Sequence, residues 1–417
     1  MVADINQTVD ALWRIESPKL IAGLARMTRD VGLAEELAQD ALVTALERWP
    51  ESGIPDRPGA WLMATAKNRA IDRLRHRKLA ERKHAEIGRD MDEAEDNVAV
   101  LEASLDDDIG DDLLRLVFTA CHPVLGTEAR VALTLRLLGG LTTDEIARAF
   151  LVPEPTMAQR IVRAKRTLAD ANVGFETPRG AELAPRLASV LEVVYLIFNE
   201  GYTATAGGDW MRPQLCDEAL RLGRVLAGLA PMEPEVHGLV ALMEIQASRL
   251  GARTEADGTP ILLLDQNRGR WDRQAINRGL AALERAEKLG PPGPYTLQAA
   301  IAACHARATT AEATDWQRIA ALYAALAVLM PSPVVELNRA IAVSMADGPA
   351  AGLAILDGLE GERAMRSYHL LPAARGDLLA KLGRTDEARA AFERAAAMTR
   401  NERERAVMLA RAAECTP

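Results

Sequence analysis

Aromatic residues and cysteine are both scarce in this chain of 417 residues, and long apolar runs are absent. Aromatic side chains make up 4% of the residues, whereas Ala, Leu, Arg and Glu are abundant, which favours helix over sheet. No stretch approaches the roughly 18 apolar residues of a membrane-spanning helix. The composition predicts an all-α fold, and the length predicts two or three domains.

The four cysteines do not show the spacing of a disulfide framework or a zinc site. They are Cys121, Cys216, Cys304 and Cys415. The neighbouring pairs Cys121–His122 and Cys304–His305 point to different helix faces, as expected for chance and core packing. The chain also lacks a Gly-rich phosphate loop, a nucleophile elbow and a ligand-spaced His/Asp cluster. We therefore expect no metal, no cofactor and no enzymatic activity.

The overall charge is acidic, but charge is distributed unevenly along the chain. The formal net charge is -9 and the pI is about 5.4, which argues against a protein that coats nucleic acid generally. The first residues include Asp4 and Asp10, where a secretory signal would need a basic flank and an apolar run. We therefore expect a cytoplasmic protein.

A basic segment and an acidic segment follow one another in the first quarter of the chain. A Pro- and Gly-rich break at Trp49–Pro58 separates a helical segment from a strongly basic one, Gly59–Lys83. Between Asp90 and Leu114 there are 11 acidic residues and no Lys or Arg. This composition is typical of an extended linker, which is either a solvated tether or the occupant of a channel built for a polyanion.

The segment Leu141–Leu168 has the pattern of a helix-turn-helix. Thr142 and Glu145 have the spacing of a capping box, which predicts the start of a short helix. A turn containing Pro153 follows, and Pro155 stands near the start of the second helix, where proline is favoured. This is the most specific local signal in the sequence.

The second helix of this motif carries its apolar and basic residues on different faces. Ile161, Ala164 and Leu168 share one face, and no acidic residue occurs between Pro155 and Leu168. Arg suits guanine edges, Gln suits adenine edges, and later basic residues suit phosphates. The pattern favours a helix that reads the major groove, although an amphipathic hairpin with a solvated basic face has the same periodicity.

Two earlier helical segments show a possible nucleic-acid face and a possible protein-docking face. In Pro58–Lys78, polar residues recur at spacings of three and four beside Trp61, which suits stacking and hydrogen bonding to exposed bases, although Trp61 also suits a core. The preceding segment, Asp30–Arg48, has an acidic outer face that repels DNA and suits either protein docking or plain solvation. Its outward residues are Glu35, Glu36, Gln39 and Asp40.

From residue 181 onwards the chain consists of Ala/Leu-rich helical segments separated by Pro/Gly turns. Leu378–Thr399 matches the tetratricopeptide pattern, and Leu337–Leu359 is an offset copy. The step from Gly348 to Thr385 is 37 residues, close to the ideal of about 34. Stacked helical repeats present concave binding surfaces. Burial in the repeat core is the commoner place for aromatic residues, and the candidates for a contact surface are Tyr202, Trp210, Asp265, Trp271 and Asp272.

Taken together, these segments resemble the extracytoplasmic-function (ECF) sigma factors of bacterial RNA polymerase. AEELAQDALVTALERWP and PGAWLMATAKNRAIDRLRHRK look like sigma region 2, and LTTDEIARAFLVPEPTMAQRIVRAKRTL looks like sigma region 4. YLIFNEGYTAT, DQNRGRWDR and SPVVELNRAIAV are similar to the subgroup with a C-terminal tetratricopeptide-like extension. Pro155 and Leu151 stand where typical members have glycine.

The resemblance implies a role for each segment. Region 2 (residues 1–89) would bind core polymerase and the minus-ten element, an acidic linker (90–112) would thread the enzyme, and region 4 (113–175) would read the minus-35 element. Residues 181–417 would form the repeat domain, which would regulate through a protein partner or an intramolecular contact. The implied polymerase contacts are Glu36, Gln39 and Asp40. The implied minus-ten contacts are Trp61, Asn68, Arg69, Asp72 and Arg75. The implied minus-35 contacts are Thr156, Gln159, Arg160, Arg163 and Arg166.

An alternative function also fits the helix-turn-helix and the repeats. A conventional regulator would bind duplex DNA through the helix-turn-helix and sense a ligand or partner through the repeats, without binding polymerase. Such a regulator would not need the segment Asp30–Lys78. The presence of that segment favours the sigma factor.

Overall fold

The computed structural model describes residues 2–84, 109–150, 152–203, 211–255, 259–366, 368–399 and 401–415. Within these ranges the regular secondary structure is helical, apart from an isolated bridge between Thr254 and Pro260. The predicted all-α fold is therefore confirmed. Among the described helices, none combines the length and the apolar character that a membrane span requires.

The helices are numbered here in chain order. The first seven are α1 (Val2–Thr28), α2 (Val31–Ser52), α3 (Pro58–His84), α4 (Ile109–Ala120), α5 (Thr127–Leu137), α6 (Thr143–Ala149) and α7 (Glu154–Asp170). The next five are α8 (Leu183–Tyr202), α9 (Pro213–Leu229), α10 (Pro234–Ala247), α11 (Arg273–Leu289) and α12 (Pro294–Arg307). The last six are α13 (Trp316–Leu329), α14 (Pro333–Asp347), α15 (Pro349–Leu359), α16 (Leu370–Lys381), α17 (Thr385–Met398) and α18 (Glu402–Glu414).

The chain forms two compact units, Met1–Val194 and Tyr195–Pro417. The boundary falls inside α8, so the first half of this helix belongs to the first unit. Ser189 on that half donates a hydrogen bond to the backbone carbonyl of Cys121 at 2.6 Å, and Arg186 donates to the carbonyl of Phe118 at 2.9 Å. These bonds anchor the start of α8 to the end of α4.

In the first unit, α1, α2 and α3 pack around small and aromatic residues. Leu37 and Trp49 on α2 are each 1% exposed, and Leu62 on α3 is 2% exposed. The predicted break after Trp49 begins later than expected, because α2 continues to Ser52 with Pro50 in its last turn. Proline removes a single helical hydrogen bond there, and the N–H of Gly53 still bonds the carbonyl of Trp49 at 2.9 Å.

The helix after the acidic segment begins earlier than the sequence predicted. Residues 90–108 of the predicted linker lie outside the described residues, but α4 begins at Ile109 and not at residue 113. Asp111 and Asp112 therefore belong to its first turn, where carboxylates stabilise the positive end of the helix dipole. Asp112 is only 4% exposed, so this acid is a structural residue of the helix.

The second unit stacks antiparallel helix pairs with close contacts through small residues. Glycines with positive φ separate α14 from α15 (Gly348, 102°) and α16 from α17 (Gly383, 76°), as the repeat pattern predicted. A Cβ atom at Gly376 on α16 would lie 2.9 Å from the ring of Phe392 on α17. The ring is 1% exposed, so glycine at this position lets the two helices approach closely.

Candidate nucleic-acid interface

The helix-turn-helix predicted from the sequence is formed by α6 and α7. The Thr142 hydroxyl accepts a hydrogen bond from the N–H of Glu145 at 3.1 Å, and the Glu145 carboxylate accepts from the N–H of Thr142 at 2.8 Å. The predicted capping box is therefore confirmed. On α7, Ile161, Ala164 and Leu168 are buried as expected. Their burial turns the opposite side of α7 outward.

Four of the five predicted minus-35 residues lie together beside a surface groove. Thr156, Gln159, Arg160 and Arg163 line this groove, which has a volume of about 330 Å³. Its other wall is the segment from Val124 to Ala129 at the start of α5. Thr156, Gln159 and Arg163 are exposed, so their polar atoms are accessible to a nucleic acid.

The remaining contacts on α7 involve neighbouring acids. The Arg160 guanidinium pairs with the Glu128 carboxylate at 2.7 Å and is only 24% exposed. Arg166 does not line the groove among the described contacts; it is 81% exposed and lies 3.4 Å from Asp170. Arg160 is therefore held by a carboxylate partner, whereas Arg166 is exposed outside the groove.

On α3, three of the predicted minus-ten residues share an exposed face. Asn68, Asp72 and Arg75 are exposed and stand four and three positions apart, which puts them on one side of the helix. Trp61 is half-buried and packs edge-on against Trp49, with ring centroids 5.3 Å apart. Part of the Trp61 ring therefore belongs to the core of the first unit, and the remainder faces outward.

Arg69 on α3 contacts α2 directly. Its guanidinium donates a hydrogen bond to the Thr44 hydroxyl at 2.8 Å and lies 3.6 Å from the Asp40 carboxylate. One turn further along, Arg73 pairs with Glu36 at 3.2 Å. The predicted polymerase-binding acids and the basic side chains of α3 thus form adjacent ion pairs across the α2–α3 contact.

The predicted polymerase-binding residues on α2 differ in exposure. Glu36 and Asp40 have side chains that are 65% and 53% exposed. Gln39 is half-buried and donates a hydrogen bond to Glu35 at 2.7 Å. Glu36 and Asp40 therefore present the accessible acidic surface, and Gln39 is held by the neighbouring carboxylate.

The expectation that Glu35 lies on the outer face with Glu36 is wrong. Glu35 is 3% exposed, and its carboxylate accepts a bond from Arg136 on α5 at 2.6 Å. Lys165 on α7 forms an ion pair with the other carboxylate oxygen. Burial of a carboxylate is tolerated here because two cations and an amide satisfy it. Sequence periodicity missed this because the partners are remote in the chain.

Two further ion pairs join the α1–α3 segment to the α4–α7 segment. Arg26 on α1 lies 3.2 Å from Asp112 on α4, and Arg14 lies 2.5 Å from Glu145 on α6. Together with Glu35 they connect both halves of the first unit. In this structure the two predicted DNA-reading helices therefore belong to one compact unit.

The cysteines and histidines of the described residues do not form a metal centre. In the part of the chain that the structure describes, no three His, Cys, Asp or Glu side chains are grouped so that they could hold a metal ion. All four cysteines are buried and free. Burial raises the pKa of the Cys121 thiol to about 11, so this thiol stays protonated at neutral pH.

Three protein families match separate parts of the chain. Sigma-70 region 2 matches residues 12–79, and sigma-70 region 4 matches residues 115–168. A family of unknown function (DUF6596) matches residues 186–287. The two sigma matches cover α2, most of α3 and nearly all of the helix-turn-helix, the segments whose geometry is described above.

Individual proteins match over different lengths. An uncharacterized protein of Rhizobium meliloti (strain 1021), R00370, is 46% identical over 391 residues, covering 93% of this chain and 91% of that protein. The ECF RNA polymerase sigma factor SigK of Mycobacterium tuberculosis is 30% identical over 173 residues, covering 40% of this chain and 87% of SigK.

A probable ECF RNA polymerase sigma factor, SigI of Mycobacterium tuberculosis, is 27% identical over 171 residues, covering 40% of this chain and 57% of SigI. SigK is matched along most of its length and the two sigma-70 regions occur in the expected order. The chain therefore belongs to the ECF RNA polymerase sigma factors, which are non-enzymatic transcription initiation factors.

Proposed function

We propose that this protein is an alternative sigma factor that binds core RNA polymerase in the cytoplasm and directs initiation at specific promoters. The observation that carries the proposal is the exposed polar face of α7 beside its groove, within the segment that matches sigma-70 region 4. A helix of this kind enters the major groove with its N-terminal residues against base edges. The conventional-regulator alternative leaves the match to region 2 unexplained.

On α7 we assign base contacts to the N-terminal half and phosphate contacts to the C-terminal half. Gln159 and Arg163 are exposed and carry groups that pair with adenine and guanine edges. Thr156 stands one turn before Gln159 on the same groove, and Arg160 joins them when it leaves Glu128. Arg166 lies outside the groove, where a phosphate is the natural partner.

On α3 we assign the minus-ten contacts to the exposed residues Asn68, Asp72 and Arg75, with the outward part of Trp61 as a stacking surface. We also assign Arg69 to the minus-ten contacts; its guanidinium pairs with Asp40, and it adjoins the exposed face of α3 that we assign to the opened DNA strand. On α2, Glu36 and Asp40 are the accessible acids for docking to polymerase. We assign Gln39, which is hydrogen-bonded to Glu35, to the same polymerase-binding surface.

We further propose that residues 181–417 form a tetratricopeptide-like domain that regulates the sigma regions. The helix pairs α14–α15 and α16–α17, each with a glycine turn, support the repeat architecture. We assign region 2 to residues 1–89, the linker to residues 90–112 and region 4 to residues 113–175. Because Ser189 bonds Cys121, which directly follows α4, the regulatory part effectively begins beyond the first half of α8.

The decisive experiment is reconstituted transcription with the full-length chain and bacterial core polymerase on the promoter upstream of its own operon. Transcripts with a defined start establish the sigma function, and the double variant Gln159→Ala/Arg163→Ala should lose them. Arg270→Ala is the matched control, because Arg270 is an exposed arginine of the second unit. Duplex binding without any association with core polymerase would replace this proposal with the conventional regulator.

The regulatory role is tested with a chain that ends after Thr203, which keeps the Ser189 and Arg186 contacts. Circular dichroism first verifies that the shortened chain is folded. A rise in transcription shows that the repeats inhibit, and a loss of transcription by the folded chain shows that they are required. Equal transcription by both chains would contradict a regulatory role.

A further inference from the structure

The second unit contains a cavity of about 490 Å³ that the sigma function does not use. Its wall is built by the end of α8 and by α10, α12, α13 and α14, with residues of the adjoining loops. Apolar side chains form part of the lining, and tyrosine, tryptophan, histidine, arginine and amide side chains form the rest. This volume and this mixture are typical of sites for small organic molecules.

The cavity carries a cation without a carboxylate partner. Arg249 lines it, and the ion pairs formed among the described residues do not include its guanidinium. The guanidinium donates to the side-chain oxygen of Gln246 and lies 5.8 Å from the ring centroids of Tyr202 and Trp271. None of the described residues that line the cavity is acidic. The wall is therefore electropositive.

Two buried polar groups on the same wall have no protein partner. The indole nitrogen of Trp271 and Nδ1 of His305 are buried and form no hydrogen bond to any residue that the structure describes. Trp271 is 3% exposed. A buried polar atom left without a partner costs roughly 1–3 kcal/mol. Both residues line the cavity, together with Arg249.

The ionisation states of the wall select an anion. Burial lowers the pKa of His305 to about 4, assisted by the cations Arg249 and Arg268, so the imidazole is neutral at pH 7 and offers one donor and one acceptor. Burial raises the pKa of Tyr323 to about 12, so its hydroxyl keeps its proton. Arg249 is then the charge that faces the cavity, and its planar fork matches a carboxylate.

The aromatic rings of the wall favour a flat apolar ligand body. Tyr195, Trp271 and Tyr323 present rings to the cavity, and Tyr195 is fixed by a hydrogen bond from its hydroxyl to Gln298 at 3.1 Å. Aromatic rings pack against other rings by offset stacking or edge contacts. We propose that this cavity is a binding site for a small aromatic carboxylate, with Arg249 on the carboxylate and the rings around the aromatic body.

The experiment uses the full-length chain labelled with 5-fluorotryptophan and follows the ¹⁹F resonance of Trp271, assigned from the Trp271→Phe variant. The probes are benzoate, salicylate and indole-3-acetate, each compared with its neutral amide, at up to 10 mM. We expect saturable shifts of the Trp271 resonance for at least one acid and binding of its amide that is weaker by about tenfold or more, since a charge-assisted bond is lost.

The variant Arg249→Gln should weaken binding of that acid by a similar factor, whereas Arg270→Gln, a change at an exposed arginine, should leave it unchanged. The comparison of acid and amide needs no variant, so a folding defect in Arg249→Gln does not decide the outcome. Equal binding of acid and amide, no shift with any probe, or a preference for a peptide C-terminus over all three acids would overturn the proposal. None of these readouts involves polymerase, so they are independent of the proposed sigma function.

Discussion

The Glu35 carboxylate lies 2.6 Å from the Arg136 guanidinium, across the contact between the α1–α3 segment and the α4–α7 segment. Lys165 shares the same carboxylate, and both cations have side chains that are only about one fifth exposed, 20% and 21%. One buried acid on the helix assigned to polymerase binding therefore holds a lysine of the helix assigned to the minus-35 element. Two predictions follow from this contact, one for stability and one for conformation.

Glu35→Gln should lower the stability of the first unit. The variant keeps the size of the side chain but leaves two partly buried cations without their carboxylate, which costs roughly 1–3 kcal/mol of unfolding free energy. Hydrogen exchange of α2 and α7 amides in the full-length chain measures the loss locally. Glu36→Gln is the matched control, because Glu36 is an exposed acid and its ion pair contributes about 1 kcal/mol or less. Equal protection in both variants would contradict the structural role of Glu35.

If the protein reads both promoter elements at once, the Glu35 contact has to open. The minus-ten and minus-35 elements lie about 25 base pairs apart, or about 85 Å along B-form DNA at about 3.4 Å per base pair. Spin labels at Glu47→Cys on α2 and Ala169→Cys on α7, both exposed positions, should move apart when core polymerase and promoter DNA are added. The native cysteines are buried and react slowly with the label.

The control for this measurement is the same labelled pair with Glu35→Gln. It should show part of the separated population before polymerase is added, because the contact that joins the halves is weakened. An unchanged label distance in a complex that is active in transcription would show that the two helices read DNA without separating, and the prediction would be wrong.

The parts of this structure that the sequence predicted are those encoded by neighbouring residues. The capping box of Thr142 and Glu145 spans three positions, and the burial of Ile161 follows the helical period, so both could be inferred locally. The burial of Glu35 could not be inferred in this way, because its partner Arg136 lies 101 residues away in the chain. Helical periodicity places a residue on a face, but it does not show which other segment covers that face.

Contacts between segments that are distant in the sequence also account for the other differences between prediction and structure. Asp112 carried the signature of an acidic linker, yet it is buried and pairs with Arg26 on a different helix as well as with Arg115 on its own helix. The cavity in the second unit likewise combines residues from Tyr195 to Asn338, and no single segment shows it. Trp271 was a candidate for either the core or a contact surface, and it is a buried residue that also lines the cavity.

Substitutions on α7 should separate sequence reading from backbone contact. Gln159→Ala and Arg163→Ala should each cost about 1–3 kcal/mol of promoter binding and relax the base preference at one position. Arg166→Ala should weaken binding to all sequences alike and reduce the salt dependence by about one phosphate contact. Binding of the polymerase holoenzyme to promoter libraries at several salt concentrations measures both effects. A base-specific loss in Arg166→Ala would reverse the assignment.

Glu128→Gln should strengthen promoter binding, whereas the alanine substitutions on α7 should weaken it. It removes the carboxylate that holds Arg160 at 2.7 Å, and because Glu128 is 78% exposed the pair contributes about 1 kcal/mol or less. Promoter affinity should therefore rise, by up to about fivefold, as Arg160 becomes available and a negative charge beside the groove is lost. Asp144→Gln, at another surface ion pair, is the control. Weaker binding in Glu128→Gln would indicate that the pair positions Arg160 for DNA.

The stability of the second unit should fall between about pH 6.5 and pH 4 because of His305. Its pKa is lowered to about 4 by burial first and then by Arg249 and Arg268, and Trp316 packs edge-on against its ring. The unfolded chain therefore binds the proton in this window and the folded chain does not, so stability is fully present above about pH 6.5 and is lost as pH falls. The loss amounts to about 2–3 kcal/mol by pH 4. Urea unfolding of the full-length chain at several pH values should show a steeper pH dependence than the His305→Gln variant. If NMR shows that His305 itself titrates near pH 6.5 in the folded protein, the expected lowering of its pKa is wrong.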